Sequence, residues 1–344
     1  MADTRKKTAA LVTAAVICLA AAVTFTWPHK HRAPSWNRIS CAMEIIPRDS
    51  AGTLPTGYVY ELLKEYAADN GFEMDIRLAY RGHSYADSLR SGAIDLLAVA
   101  YRDSLEADSL LVSDPVDSVC LWLVSGDKEA ELRHIDEWIG SYLSSDRYAS
   151  TKQRFYDVFP YSKGTRKMPH ANISPYDSLL RACSDSVGID WHLLAAVMYG
   201  ESRFNIQARS RSGAFGLMQL MAKPARKYGV KNLLDPEQNI RAGARILAAF
   251  LHKYRHVEDP RERIKFALAA YNAGEGKVRG YIEDARSRGL DTGRWEDVRS
   301  VIPMMNGGEI HPDSLGTASF KGKETYFYVD GILGLAARFR KIKP

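Results

Sequence analysis

Apolar and polar positions follow two different rhythms along this 344-residue chain. Between residue 37 and about residue 125, alternating runs take turns with runs of helical period. Ile39–Ile45 reads as a strand. Gly57–Gly71 (GYVYELLKEYAADNG) spaces its apolar residues three and four apart and stops on glycine, the marks of a helix and its end. Phe72–Leu78 alternates as a half-buried strand does, and Tyr85–Ser91 returns to helical spacing. Ile94–Val99 and Val119–Val124 are apolar runs of strand length. This order predicts an α/β layer around a parallel sheet. His134–Phe159 is helical again. From Ser174 onward almost every apolar pattern has the helical period. Ser174-Pro175 opens a helix, Asp190 is placed to cap the run WHLLAAVMYGES, and FGLMQLMAKPARKY runs on to Gly229. Pro236 and Pro260 each begin a further helix, in the first turn, where proline is tolerated. A last helix covers about residues 325–338.

A third pattern heads the chain. Arg5-Lys6-Lys7 precedes Thr8–Trp27, which carries no charge. About 20 apolar residues span a bilayer, and basic residues before such a run keep that end in the cytoplasm. The expectation is an uncleaved membrane anchor with the rest of the chain exported, held in the inner membrane with a periplasmic catalytic part. Ala20-Ala21-Ala22 would alternatively serve as a cleavage site, and Cys18 as a lipid-bearing cysteine, which would send the protein to the outer membrane or outside the cell. Residues 28–36 (PHKHRAPSW) read as a tether.

Composition sharpens the division. The net charge is +6, but residues 33–160 are acidic and residues 161–344 basic. The turn-like basic stretch Tyr161–Ala171 marks the expected boundary. Three segments follow: 1–36 anchor and tether, 37–160 α/β domain, 161–344 mainly α domain. The basic part suits an anionic polymer, though a solvated basic surface explains the charge equally well. Export and the lack of a recognition-helix or RNA-binding signature argue against nucleic acid. Of the four cysteines, Cys41 and Cys120 lie on strand-like runs. A bridge between them and two buried thiols are both open, with the thiols preferred. No metal-ligand spacing or nucleotide loop stands out, so no cofactor is expected.

The chemistry concentrates around one carboxylate. Glu201 follows the apolar helical run Trp191–Met198, and no acidic residue lies between Ser202 and Leu234. A carboxyl held against apolar groups resists ionisation and becomes a proton donor near neutral pH. Ser210, Gly213, Gly216, Met218, Gln219 and Met221 follow on an acid-free, glycine-rich stretch that a polymer could approach closely. Gln219 can offer a donor and an acceptor to a sugar amide. Tyr271 and Asn272, in Ala-Tyr-Asn-Ala-Gly, add an aromatic face and a further amide.

These segments together, E-S-x-F-N, S-x-x-G-A-x-G-L-M-Q-x-M and A-Y-N-A-G, resemble the signature of the soluble-lytic-transglycosylase (SLT) family over about residues 174–340. Glu324-Thr325 and Tyr328-Val329 resemble its later E-T-x-x-Y-V element. The resemblance implies a lysozyme-like fold and a peptidoglycan lyase. Glu201 would protonate the oxygen between N-acetylmuramic acid and N-acetylglucosamine, then take the proton of the C6 hydroxyl as a 1,6-anhydro ring closes. Ser210, Gln219, Met221, Tyr271 and Asn272 would line the muramoyl subsite, and Glu324 and Tyr328 would brace the site or meet the peptide stem. An attack from within the substrate needs no second enzymatic carboxylate and gains from proximity.

The runs GYVYELLKEYAADNGFEMDIRL and SYADSLRSGAIDLLAVAYRDS also resemble, in a match of about 90 residues, the first lobe of the periplasmic solute-binding fold, with the second lobe missing. An exported chain that joins one such lobe to this module resembles the membrane-bound F type of the SLT family. A one-lobe domain could be a spacer, a weak ligand site or a dock for a cell-wall protein. Two other functions stay open: a lysozyme-like hydrolase of peptidoglycan or chitin, which needs a second carboxylate, and a non-catalytic glycan-binding protein.

Overall fold

The computed structural model describes residues 36–46, 55–79, 83–102, 108–156, 172–302 and 323–342. The expected membrane segment, its tether up to residue 35 and the boundary near residue 161 lie outside the described residues. Among the described residues no helix is long and apolar enough to cross a membrane.

The first part is a five-stranded sheet with helices on both faces. Its elements are β1 (Arg38–Met43), α1 (Pro55–Asn70), β2 (Glu73–Leu78), α2 (Tyr85–Arg90), β3 (Leu96–Ala100), β4 (Leu110–Val112), β5 (Cys120–Ser125), α3 (Glu129–Leu143) and α4 (Asp146–Tyr156). The strand order is β2-β1-β3-β5-β4. β1 pairs parallel with β2 and β3, as helical crossovers require. The far side departs from the expected parallel sheet: β5 runs antiparallel to both β3 and β4. The reason is local. Asp117 and Ser118 both hold positive φ, of 55° and 54°, in a tight reversal closed by the Val116–Cys120 bridge. A connection that short can only return a strand antiparallel.

Side chains alternate across the sheet with period two. Ile39, Cys41, Met43, Leu96, Ala98, Trp122 and Val124 face α1 and α3, whereas Ala42, Leu97, Val99, Leu121 and Leu123 face α2. On the first face rings dominate. Trp122 stacks on Trp138 at 5.7 Å, Trp138 stacks on Tyr142 at 4.6 Å, and Tyr66 meets Trp122 edge-on at 5.4 Å. Such pairs add ~0.5–1.5 kcal/mol each beyond the area they bury. Cys41, Cys120 and Cys183 are buried free thiols. Burial pushes the Cys120 thiol up to about 12.

The second part is helical: α5 (Asp177–Asp185), α6 (Trp191–Ser202), α7 (Ala222–Lys227), α8 (Pro236–Lys253), α9 (Pro260–Ala273), α10 (Glu275–Ser287), α11 (Trp295–Ser300) and α12 (Lys323–Phe339). Aspartates start three of these helices. Asp190, Asp235 and Asp259 accept the backbone N–H of His192, Gln238 and Arg261. α6 is apolar all round and lies buried among its neighbours. The expected helix over residues 215–228 is not formed as one piece. Only α7 is helical, because Gly216 and Gln219 hold φ of 81° and 48° and turn the chain out of the helix.

The two parts share one continuous core. Phe155 meets the Tyr176 ring edge-on at 5.9 Å. A Cβ at Gly57 would stand 2.9 Å from the Tyr176 hydroxyl, so glycine lets α1 come this close. Asn232 Nδ2 donates to Ile76 O on the outer edge of β2 at 3.1 Å, and Tyr60 Oη to Asp235 Oδ2 at 3.3 Å.

Candidate active site

Glu201 sits in the last turn of α6, half-buried. The helix stops two residues later, where Arg203 and Phe204 adopt left-handed φ of 52° and 61°. Arg203 N–H still bonds Tyr199 O at 2.8 Å, and Ser202 Oγ bonds back to Met198 O at 3.1 Å. The stop therefore satisfies its own backbone and leaves Glu201 beside α12. Gly200 makes that proximity possible. A Cβ there would lie 2.5 Å from Ile332 Cδ1, so a larger residue forces the end of that side chain to move. Across this contact Tyr328 Oη donates to Glu201 Oε1 at 2.6 Å. The lower end of α12 is tied to the start of α6 by Arg340, whose Nε donates to Asp190 Oδ2 at 2.8 Å.

The stretch from residue 203 to Met221 forms a compact irregular loop. Ser210 is its first fastener: Oγ accepts Ala214 N–H at 2.9 Å and shares a 2.8 Å bond with Ser212 Oγ. Phe215 makes bridges to Arg209 and Leu220. Gln219 is the second fastener. Its Nε2 donates to Ala208 O and Gly216 O, both at 2.9 Å. Both amide hydrogens are thus spent inside the loop, and Oε1 is the group Gln219 can turn to a sugar. Met221, at the N-cap of α7, is 44% exposed, an apolar surface beside the loop.

Tyr271 and Asn272 close the other wall from the last turn of α9. Tyr271 Oη donates to Met218 O at 2.9 Å. Its hydroxyl is buried although part of the ring stays accessible. Burial, and then the negative charge of Glu201, push this phenol well above its usual range, so it remains a neutral donor. Asn272 Oδ1 accepts the Thr325 hydroxyl at 2.7 Å, which ties α9 to α12. Glu324 belongs to the first turn of α12, and its side chain lies outside the described residues. Among the expected residues, Glu201, Tyr271, Asn272 and Tyr328 are thus linked through α6, α9 and α12, and Ser210, Gln219 and Met221 through the loop. One contributor was not expected from the pattern, Gly200, whose only signal is a glycine inside an apolar helix; Thr325 belongs to the expected E-T-x-x-Y-V element, which gave it no role of its own.

The mainly helical part thus places one glutamate at the end of a buried helix, where a tyrosine of α12 bonds it and a tyrosine of α9 feels its charge. Residues 178–292 match the family model "Transglycosylase SLT domain". The chain is 34% identical over 218 residues to the membrane-bound lytic murein transglycosylase F of Desulfosudis oleivorans, covering 62% of this chain and 48% of that protein. It is 41% identical over 146 residues to the protein of the same name from Shewanella pealeana, covering 42% of this chain and 30% of that protein. The chain thus spans about half or less of these curated relatives' length. Among solved structures, the lytic transglycosylase Slt of Pseudomonas aeruginosa is 23% identical with a TM-score of 0.40, covering 62% of this chain and 34% of that one.

Proposed function

We propose that the protein is a lytic transglycosylase that cleaves the bond between N-acetylmuramic acid and N-acetylglucosamine in peptidoglycan, for remodelling or turnover of the wall. The observation that carries this reading is the 2.6 Å bond from Tyr328 to Glu201, with Glu201 inside the segment that matches the SLT family model. A single carboxyl must here do two jobs. Protonated on Oε2, Glu201 gives its proton to the departing glycosidic oxygen. The substrate's own N-acetyl carbonyl steadies the oxocarbenium-like carbon. Ionised, Glu201 takes the proton of the C6 hydroxyl, which bonds to that carbon and closes the anhydro ring. Tyr328 fixes Oε1 throughout, so that the same oxygen faces both the leaving group and the incoming hydroxyl. Neutral Tyr271 holds the loop wall and presents its ring to the muramoyl unit. Ser210, Gln219 through Oε1, Met221 and Asn272 complete that subsite.

We also propose the division into residues 1–36, 37–160 and 161–344, with the first segment anchoring the chain to a membrane and the glycan-cleaving part in the periplasm. The α/β part corresponds to one lobe of a solute-binding fold and docks a cell-wall protein. The names of the relatives support membrane attachment.

Mass spectrometry of the sugar ends released from purified peptidoglycan by the full chain in detergent tests the reaction. Anhydro-muramoyl ends, absent with Glu201→Gln, are expected. Reducing ends would replace the lyase by a hydrolase, and no release from the unsubstituted chain would point to a binding protein.

A further inference from the structure

Asn239, in the first turn of α8, is fully buried. Three of the four hydrogen-bonding positions of its amide are engaged, and each of these partners is backbone between Phe215 and Leu233. Oδ1 accepts Met218 N–H at 2.8 Å. Nδ2 donates to Leu233 O at 2.8 Å and to Phe215 O at 3.3 Å. The fit is close: a Cβ at Gly216 would lie 2.3 Å from Nδ2. An amide is the side chain that can accept from one backbone group and donate to two others at once. Aspartate keeps the acceptor and loses both donors; leucine loses everything.

Met218 is held on its other side as well. Its carbonyl takes the Tyr271 hydroxyl, and its side chain packs against Gly243, where a Cβ would come within 2.7 Å of Met218 Cγ. A chain of contacts therefore runs from Asn239 through the backbone of Met218 to Tyr271, the tyrosine whose hydroxyl feels the charge of Glu201. Tyr271 can donate to Met218 only if that carbonyl stands at the right height, and Asn239 sets that height. We propose that Asn239 is a positioning residue for the cleavage reaction: by clamping Met218 it fixes Tyr271 against Glu201 and the loop that carries Gln219 against the glycan. The inference rests on the lyase reading for its effect on turnover, but not for the clamp itself.

The test uses the full chain with Asn239→Asp and Asn239→Leu, each alone and combined with Tyr271→Phe. Turnover on peptidoglycan is scaled to the folded fraction from circular dichroism. The expected order of kcat is unsubstituted, Asp, then Leu, with Leu down about tenfold or more and KM changed less than kcat. Tyr271→Phe should cost markedly less in the Leu background, because both changes break the same chain. Turnover that merely follows the folded fraction, or a Tyr271→Phe cost equal in both backgrounds, overturns the proposal. Where the Asn239 variants do not fold, amide exchange in Tyr271→Phe decides. Protection of the Met218 amide that survives this substitution is expected, because Asn239 still holds its N–H, and faster exchange at Met218 with the α8 amides unchanged overturns the clamp. Release of no anhydro ends by the unsubstituted chain sinks the lyase reading, while the exchange experiment still decides the clamp.

Discussion

The sheet of the α/β part and the loop of the helical part are held together by opposite means. Around Trp122 the packing is aromatic: Tyr66 and Trp138 lie against it, and Tyr142 stacks on Trp138 in turn. Around Met218 the contacts are directional and few. Asn239 grips its N–H and Tyr271 its carbonyl, and the loss of either leaves a buried polar group without its partner. Apolar packing degrades gradually when it is trimmed, whereas a polar brace fails at a point. The lesson is a division of labour. The sheet supplies stability that tolerates change, and the loop supplies geometry that does not.

The sharpest test of that contrast is at Glu201. Glu201→Gln keeps the shape and removes the proton, so anhydro-end release should fall by ~10²–10⁴-fold with stability nearly unchanged. Release that survives would mean that another acid acts. Next comes Gly200→Ala. The new methyl meets Ile332 Cδ1 at 2.5 Å, which should force the Ile332 side chain aside, disturb the seat of Tyr328 one turn before it and cost ~1–3 kcal/mol of stability. Adding Ile332→Val removes the clashing carbon and should restore turnover well above the single variant. If turnover stays low in the pair, the spacing of the two helices is not what Gly200 protects. Tyr328→Phe is milder, because the carboxyl remains and only its tether goes. About a tenfold fall in kcat with little change in KM is expected, and an unchanged kcat would remove Tyr328 from the mechanism.

On the other side of the comparison, Trp122→Ala empties the centre of the aromatic cluster. A loss of about 3–5 kcal/mol is expected, read as a lower Tm, with turnover per folded molecule unaltered. Reduced turnover per folded molecule would show that the sheet, too, transmits geometry to the site.

How far each half can be read from sequence follows the same contrast. Elements built on periodicity and caps were legible: the strand of residues 73–78 alternates, Asp190 caps α6, and Pro236 and Pro260 open α8 and α9. The place of Glu201 at the end of a buried helix was legible, because the apolar run Trp191–Met198 before it predicts that helix. The loop was not. FGLMQLM has helical spacing, and nothing local announces that Gln219 will adopt a left-handed φ. That conformation is stabilised by Ala208 O, eleven residues back along the chain, which accepts from Gln219 Nε2. The antiparallel turn of β5 was hidden for a similar reason, since Asp117-Ser118 carries no glycine to signal positive φ.

The smallest expected effect lies where the two halves touch. Tyr60, on α1, donates to Asp235 Oδ2 across 3.3 Å, while Asp235 Oδ1 caps α8. Asp235 therefore serves both parts, and Lys64 stands 4.0 Å from the same oxygen. Tyr60→Phe removes one long hydrogen bond and leaves the cap and the lysine, so a loss of ~1 kcal/mol or less is expected. The pH dependence carries more information than the magnitude. Burial and the charge of Asp235 push the Tyr60 hydroxyl far above its usual range. In the unfolded chain a tyrosine ionises near ~10, whereas in the folded chain Tyr60 stays neutral there. Its contribution is thus fully present below pH ~10 and is lost as the pH rises further, because the unfolded chain alone gives up the proton. Tyr60→Phe should flatten the alkaline fall in stability without changing the profile at pH 7. An unchanged alkaline slope would mean that Tyr60 reaches water, and that the contact between the halves is looser than its geometry implies.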